Sequence, residues 1–139
     1  METTGSLFRW TERYSVHIAH LDRQHQAVFA AADEFNQAMA AGKGNEALLT
    51  ILDKLLDYAL THFAAEESLM KEYAVPGFSA HCAEHEMFRQ KTEAFRADYK
   101  FGKKNVPVTL IIFIQNWFMK HIRSTDQQYS DFLNARGVH

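Results

Sequence analysis

Residues 48–70 read LLTILDKLLDYALTHFAAEESLM, and their spacing decides the fold. Leu48, Leu52, Leu55, Tyr58, His62, Phe63, Glu66 and Met70 recur at threes and fours. That is the period of one helix face, so the segment predicts an amphipathic helix with its apolar stripe turned to a core. The stripe carries two residues that a core does not ordinarily take. His62 and Glu66 are four apart, so on an ideal helix they lie about 40° apart around the axis and about 6 Å along it. Both can point inward at one depth.

The flanking sequence repeats the pattern. Asn45 serves as the cap of this helix and Val75-Pro76-Gly77 stops it, giving a segment over about 45–73. Upstream, Asp22 serves as the cap of a helix over about 22–41, with Val28, Ala32, Phe35 and Met39 on its stripe, before Gly42-Lys43-Gly44 breaks the chain. Downstream, Ser79 opens a third helix over about 79–101 through His81, His85, Phe88, Thr92, Phe95 and Tyr99. Pro107 suits the first turn of a fourth helix, where its missing N–H costs nothing. That helix runs over about 107–135 through Leu110, Trp117, His121 and Leu133. The first 21 residues hold Phe8, Trp10 and Tyr14 without helical period, and read as an arm laid over the bundle to cover its aromatics. An all-α, up-down-up-down antiparallel four-helix bundle with an N-terminal arm follows.

The 139 residues amount to one domain's worth, 1–139. Six Gly and two Pro are too few turn residues for a many-stranded β fold. Fifteen basic against 17 acidic residues, with no basic stripe, argue against nucleic acid or an anionic membrane as partner. The N-terminus lacks the charged-then-apolar order of a signal peptide, and the apolar stretch near Val108–Met119 is too short to span a bilayer. The single cysteine, Cys82, cannot form an intrachain disulfide. These features predict a cytoplasmic protein, and the lack of an obvious exposed apolar seam favours a monomer.

Eight histidines are many for this length, and their placement carries the chemistry. His62 with Glu66, and His81 with His85, are inward-pointing pairs four apart. His25 lies on the first helix and His121 on the fourth, with Asp126 five residues later. A lone histidine on an apolar stripe is ordinarily a hydrogen-bonded core residue. Five of them with two carboxylates differ, because each buried polar group without a partner costs several kcal/mol, about 2–7 for an amide or hydroxyl and more for a charge. One shared metal centre satisfies all seven. Five imidazole nitrogens, four oxygens of two bridging carboxylates and one bridging oxo or hydroxo group, which bonds once to each metal, make eleven bonds. Two six-coordinate metals need twelve, so one position stays open for a small ligand. Imidazole with carboxylate suits iron. Spacing leaves zinc and manganese open, although zinc sites are usually tetrahedral and mononuclear.

The segments Leu21-Asp22-Arg23-Gln24-His25, His62-Phe63-Ala64-Ala65-Glu66-Glu67, His81-Cys82-Ala83-Glu84-His85 and Trp117 to Asp126 resemble the signature segments of the hemerythrin family, in the family's order and over nearly the whole chain. Val75 departs from it, standing where many relatives have Tyr. The resemblance implies a non-haem centre of two iron ions, cycling between Fe2+ and Fe3+ with a bridging oxo or hydroxo group. It implies that His81, His85 and His121 hold one iron, that His25 and His62 hold the other, and that Glu66 and Asp126 bridge. The iron with two histidines would take dioxygen reversibly, with no side chain acting as nucleophile or base. Val28, Phe63, Trp117, Phe118 and Ile122 are the candidates for an apolar oxygen pocket, and Tyr129 for a tyrosine near the bridge.

The reading is therefore a non-enzymatic oxygen carrier, store, deliverer or sensor, whose client would be an oxygen-consuming enzyme or a redox partner. An enzyme acting on nitric oxide or peroxide, or in iron-centre repair, is the alternative, and a bundle with a structural metal or zinc the third. The five-residue step from His121 to Asp126 turns about 500° on an ideal helix, leaving Asp126 about 140° out of phase. It predicts a local widening to i→i+5 winding there.

Overall fold

The computed structural model describes residues 8–139, with Phe118 described by its backbone alone, so the outermost part of the expected arm lies outside the described residues. Helices α1 (Ala19–Ala40), α2 (Gly44–Glu72) and α3 (Phe78–Lys100) follow the three apolar stripes. The fourth rod starts as α4 (Val106–Phe113), with Pro107 in its first turn. It runs through two stretches of i→i+5 winding, Ile114–Met119 and His121–Thr125, into α5 (Gln127–Asn134). The connections, residues 41–43, 73–77 and 101–105, are short enough to force antiparallel neighbours. Helix α1 packs on α2, α2 on α3, and α4 on all three. This is the expected four-helix bundle. Among the described residues no helix is long and apolar enough to cross a membrane.

The helix starts differ from the caps expected of them. Helix α1 begins three residues before Asp22, after an extended Ile18, and Asp22 lies one turn inside it. Its carboxylate instead accepts hydrogen bonds from Ser15 Oγ (2.6 Å) and Val16 N (2.8 Å), tying the arm to α1. The arm is fixed at its other side by the fourth rod. Gln127 donates to the Ser15 carbonyl (3.0 Å), Ser130 to that of Val16 (2.7 Å) and Asn134 to that of His17 (3.0 Å). Asn45 and Ser79 likewise fall inside the first turns of α2 and α3, whose starts carry no side-chain cap. A capping residue one position inside a helix looks the same in sequence as one at its edge.

The core falls into two apolar clusters. One gathers Val28, Phe29, Phe35, Leu48, Leu52, Leu55, Phe63, Phe88, Phe95, Leu110, Ile114 and Ile122. The other gathers Val16, Ile18, Leu21, Met70, Val75, Tyr129 and Leu133. Along α1, His25 stands between Leu21 of the second cluster and Val28 of the first. Along α2, Glu66 stands between Phe63 and Met70. A polar layer thus divides the apolar interior.

Four helix ends close in the same way, on a residue in the left-handed region followed by a bond back to the last full turn. Gly42 (φ 76°), Gly102 (φ 77°) and Gly137 (φ 85°) serve three of them, with Lys43 N to Ala38 O at 2.8 Å, Lys103 N to Asp98 O at 3.0 Å and Val138 N to Leu133 O at 3.1 Å. At the end of α2 the residue is Ala74 (φ 53°), with Val75 N to Met70 O at 2.9 Å. An alanine pays about 1–2 kcal/mol to sit there, partly offset by the greater unfolded freedom of glycine, about 0.5–1 kcal/mol. Ala74→Gly is expected to stabilise the fold by about 0.5–1 kcal/mol. A urea midpoint that rises at unchanged slope bears this out, and an unchanged or lower midpoint refutes it.

Candidate metal centre

His25 (α1), His62 and Glu66 (α2), His81 and His85 (α3), and His121 and Asp126 (fourth rod) converge between the two apolar clusters, none more than 4% exposed. The phase problem of Asp126 is solved by the backbone. Its N–H bonds to the His121 carbonyl at 2.9 Å, an i→i+5 step, and the widened turn returns Asp126 to the face of His121. The widening starts earlier than expected, at Ile114.

The donor atoms form two groups that share both carboxylates. Glu66, His81, His85, His121 and Asp126 make one, and His25, His62, Glu66 and Asp126 the other, with the atoms of each group within 4.8 Å of one another. Each carboxylate divides its oxygens between the groups. Glu66 Oε1 faces His81 Nε2 (2.6 Å) and His85 Nε2 (2.9 Å), while Oε2 faces His62 Nε2 (3.3 Å). Asp126 Oδ1 faces His81 Nε2 (3.1 Å) and His121 Nε2 (3.0 Å), while Oδ2 faces His25 Nε2 (3.2 Å). Ligand atoms bonded at about 2.1 Å to one six-coordinate ion stand about 3.0 Å from their neighbours and about 4.2 Å from the atoms opposite. The observed separations have that scale.

Alignment separates ligation from hydrogen bonding. Nε2 of His85 and His121 and both oxygens of Asp126 are buried and make no hydrogen bond among the described residues, despite contacts near 3 Å. Their lone pairs point into shared space rather than at each other. The opposite ring nitrogens are fixed from outside. His62 Nδ1–H donates to Gln24 Oε1 (2.6 Å), His85 Nδ1–H to Glu67 Oε2 (2.8 Å) and His121 Nδ1–H to Glu84 Oε1 (2.7 Å). Gln24 also contacts His20 (3.2 Å), and Thr125 donates to Glu84 (3.0 Å). Holding the proton on Nδ1 leaves the Nε2 lone pair for a cation. The seven residues fit a two-metal centre.

In sequence, Glu67, Glu84 and Glu86 each look like a glutamate on a solvated helix face. Glu86 is one, exposed and paired with Arg89, but Glu67 and Glu84 are not. Gln24, Glu67 and Glu84 each adjoin one of the seven converging residues in sequence yet serve a histidine on another helix. The relative rotation of two helices is what reveals them.

Burial and charge oppose each other in the site. Burial raises the Glu66 pKa, but the charge of His62 and the nearness of His62, His81 and His85 hold it well below its ordinary 4.5. Burial and the Glu66 charge raise that of Asp126, and His121 and His25 outweigh them. Burial lowers that of His81, but the nearness and charge of Asp126 and Glu66 push it up to about 10. His121 is also raised, its burial outweighed by Asp126 above all. Tyr129, 1% exposed, donates to Glu66 Oε2 at 2.6 Å. Burial and the Glu66 charge keep its hydroxyl protonated.

The expected pocket residues take different places. Val28 and Phe63 line a cavity of ≈ 10 Å³ against His62, with Leu55, Tyr58, Ala59 and Phe88. Phe63 also stacks on His85, ring centroids 3.8 Å apart. Trp117 stacks instead on His121 at 4.6 Å, on the three-histidine side. Ile122 is fully buried in the larger cluster, and the Phe118 side chain lies outside what the structure describes.

Residues 16–133 match the family model described as "Hemerythrin HHE cation binding domain". The chain is 28% identical over 130 residues to a bacteriohemerythrin of Stenotrophomonas maltophilia, covering 94% of this chain and 84% of that one. It is 28% identical to one of Methylococcus capsulatus, covering 94% and 99%, and 30% identical to one of Pseudomonas aeruginosa, covering 88% and 78%. A solved wild-type hemerythrin superposes with a TM-score of 0.79 at 26% identity, over 88% of this chain and 95% of that one. With the family model spanning most of its length, the chain belongs to the hemerythrin family.

Proposed function

We propose that the seven converging residues hold two iron ions, and that the chain binds dioxygen reversibly on the side of His25 and His62 as an oxygen carrier rather than an enzyme. The observation that carries this is the asymmetry of the two donor groups around shared carboxylates. One has three histidines and the other two, and the cavity touches the group with two. When bound, an iron pair held by these residues would supply reversible electron transfer to dioxygen.

The side chains do the rest. Glu66 and Asp126, ionised and fully buried, are common to both donor groups and would offset the positive charge of the ions. Gln24, Glu67 and Glu84 hold three imidazoles in the tautomer a cation needs. Val28, Leu55, Ala59, Phe63 and Phe88 keep bulk water from the two-histidine side, and the ≈ 10 Å³ they leave suits a diatomic rather than an organic substrate. Tyr129 donates to Glu66 Oε2 and would steady that carboxylate between the two ions.

The deciding experiment is an optical spectrum with iron analysis through anaerobic reduction, oxygen addition and evacuation. Two irons per chain, with charge-transfer bands that come with oxygen and fade on its removal, are expected. Iron that oxidises at once without a reversible spectrum, or turnover of nitric oxide or peroxide faster than autoxidation, would replace the carrier with an enzyme. One zinc per chain would leave only a structural metal.

Metal uptake should also follow pH. In the metal-free protein His81 carries a proton paired with Asp126 and Glu66, so its stabilising effect is complete below its ordinary 6.5 and fades as pH rises toward about 10. The lowered carboxylates contribute above their ordinary 4.5 and 3.8 and lose their effect in acid. The thermal midpoint of the metal-free protein is therefore expected to fall between pH 6.5 and 10, while affinity for Fe(II) rises across the same window because the imidazoles must shed their protons. Calorimetry at pH 7 in buffers of different ionisation enthalpy reads the proton release, and heats independent of buffer would contradict it.

Glu84→Ala removes the acceptor of His121 Nδ1 and is expected to weaken metal affinity about 10–100-fold. Glu84→Gln, whose amide oxygen can still accept, should lose less. Equal affinity in all three proteins, measured by chelator competition, would show that the contact does not support the site.

A further inference from the structure

We infer that Tyr58 is the gate through which a diatomic ligand reaches the cavity beside His62. The inference rests on the oxygen-binding reading above and adds the route. The cavity is lined by Val28 from α1, by Leu55, Tyr58, Ala59, His62 and Phe63 from α2, and by Phe88 from α3. Six of these seven are at most 6% exposed. Tyr58 alone among them is half-buried and reaches the surface. It lies four residues before His62, so its ring covers the same helix face one turn away. A molecule passing from solvent to the cavity beside Tyr58 has one side chain to displace. By other directions it must part fully packed residues, and such packing yields as a unit rather than atom by atom.

A second approach competes. An open groove between α2 and α3, lined among others by Ala59, Leu60, Phe63 and Cys82, shares Ala59 and Phe63 with the cavity. These two form the wall between groove and cavity. Ala59 has no side-chain rotamer to swing aside, and the Phe63 ring stacks on His85 with 3° between the ring planes. The wall is held by a ligand, whereas Tyr58 packs against the cluster from its edge.

A gate changes arrival and departure together, whereas a group that holds the ligand changes departure alone. In the iron-loaded full chain, Tyr58→Ala is expected to raise oxygen association and dissociation rates together, by about tenfold, with little change in their ratio. Tyr58→Trp should slow both. Tyr58→Phe, which keeps the bulk and loses the hydroxyl, should leave both within about twofold. Stopped-flow reads the rates, and circular dichroism with iron content checks that each variant is folded and loaded. Xenon supplies a readout without oxygen chemistry, since it enters apolar cavities of sufficient size. Crystals of Tyr58→Ala under xenon are expected to hold the gas against Leu55 and Phe63, and crystals of the unaltered chain are not. Dissociation altered alone, unchanged rates in folded Tyr58→Ala and Tyr58→Trp, or no xenon in Tyr58→Ala would overturn the gate. Loss of reversible oxygen binding in the unaltered chain would instead overturn the carrier reading, leaving the xenon comparison to decide the route.

Discussion

Two carboxylates with no solvent exposure, Glu66 and Asp126, stand at the centre of this bundle, and the rest of the structure answers to them. An ionised carboxylate moved from water to a protein interior costs several kcal/mol after relaxation, unless charge and hydrogen bonds compensate it. Here the compensation comes from five imidazoles on all four rods. Every helix must therefore deliver a particular residue to one depth, and the register of each against its neighbours is set as much by the polar layer as by the leucines. The apolar clusters above and below that layer hold the helices together but specify their register less, since aliphatic side chains tolerate repacking.

The convergence of the candidate site residues was legible because an α-helix converts spacing into direction. Pairs four apart, His62 with Glu66 and His81 with His85, declare one face and one depth without knowledge of any other helix. The step of five between His121 and Asp126 contradicts a regular helix, and it was legible for that reason. Two residues with the chemistry of ligands and the wrong phase imply an altered backbone, and the structure has i→i+5 winding through that region. Residues whose role depends on a second element were not legible. Glu67 on α2 serves His85 on α3, and Glu84 on α3 serves His121 on the fourth rod. From sequence each is a glutamate beside a ligand, which also describes an ordinary solvated position. Asp22 was misplaced for a related reason, since its partners Ser15 and Val16 lie in the arm, where no period announces a contact.

The outer contacts also explain how one fold can hold the layer with and without a cation. In the metal-free protein, protons on His81 and His121 stand where positive charge is needed, and the raised pKa of both expresses the pull of the buried carboxylates. A cation competes with those protons for the same lone pairs. The contacts from Nδ1 of His62, His85 and His121 to Gln24, Glu67 and Glu84 remain available in either state, because they use the other ring nitrogen. The site is thereby kept close to its binding geometry before any cation arrives, and little ordering remains to be done on binding.

The arm belongs to this arrangement rather than to the surface. Trp10 lies over His25 with ring centroids 6.4 Å apart and packs edge-on against Phe29. Tyr14 packs on Phe29 in turn, at 4.8 Å. The side chains of Gln127, Ser130 and Asn134 hold the arm's backbone carbonyls from beyond the widened turns. That stretch of the fourth rod thus places Asp126 in the site and anchors the segment that covers His25. A regular α-helix from Ile114 to Asn134 would lose both at once, since removing the wide turns would rotate everything beyond them relative to His121, by about 100° for each residue of register. The widened winding is therefore the element on which the site and its cover jointly depend, and this accounts for its place within a rod whose other turns pack like any bundle helix.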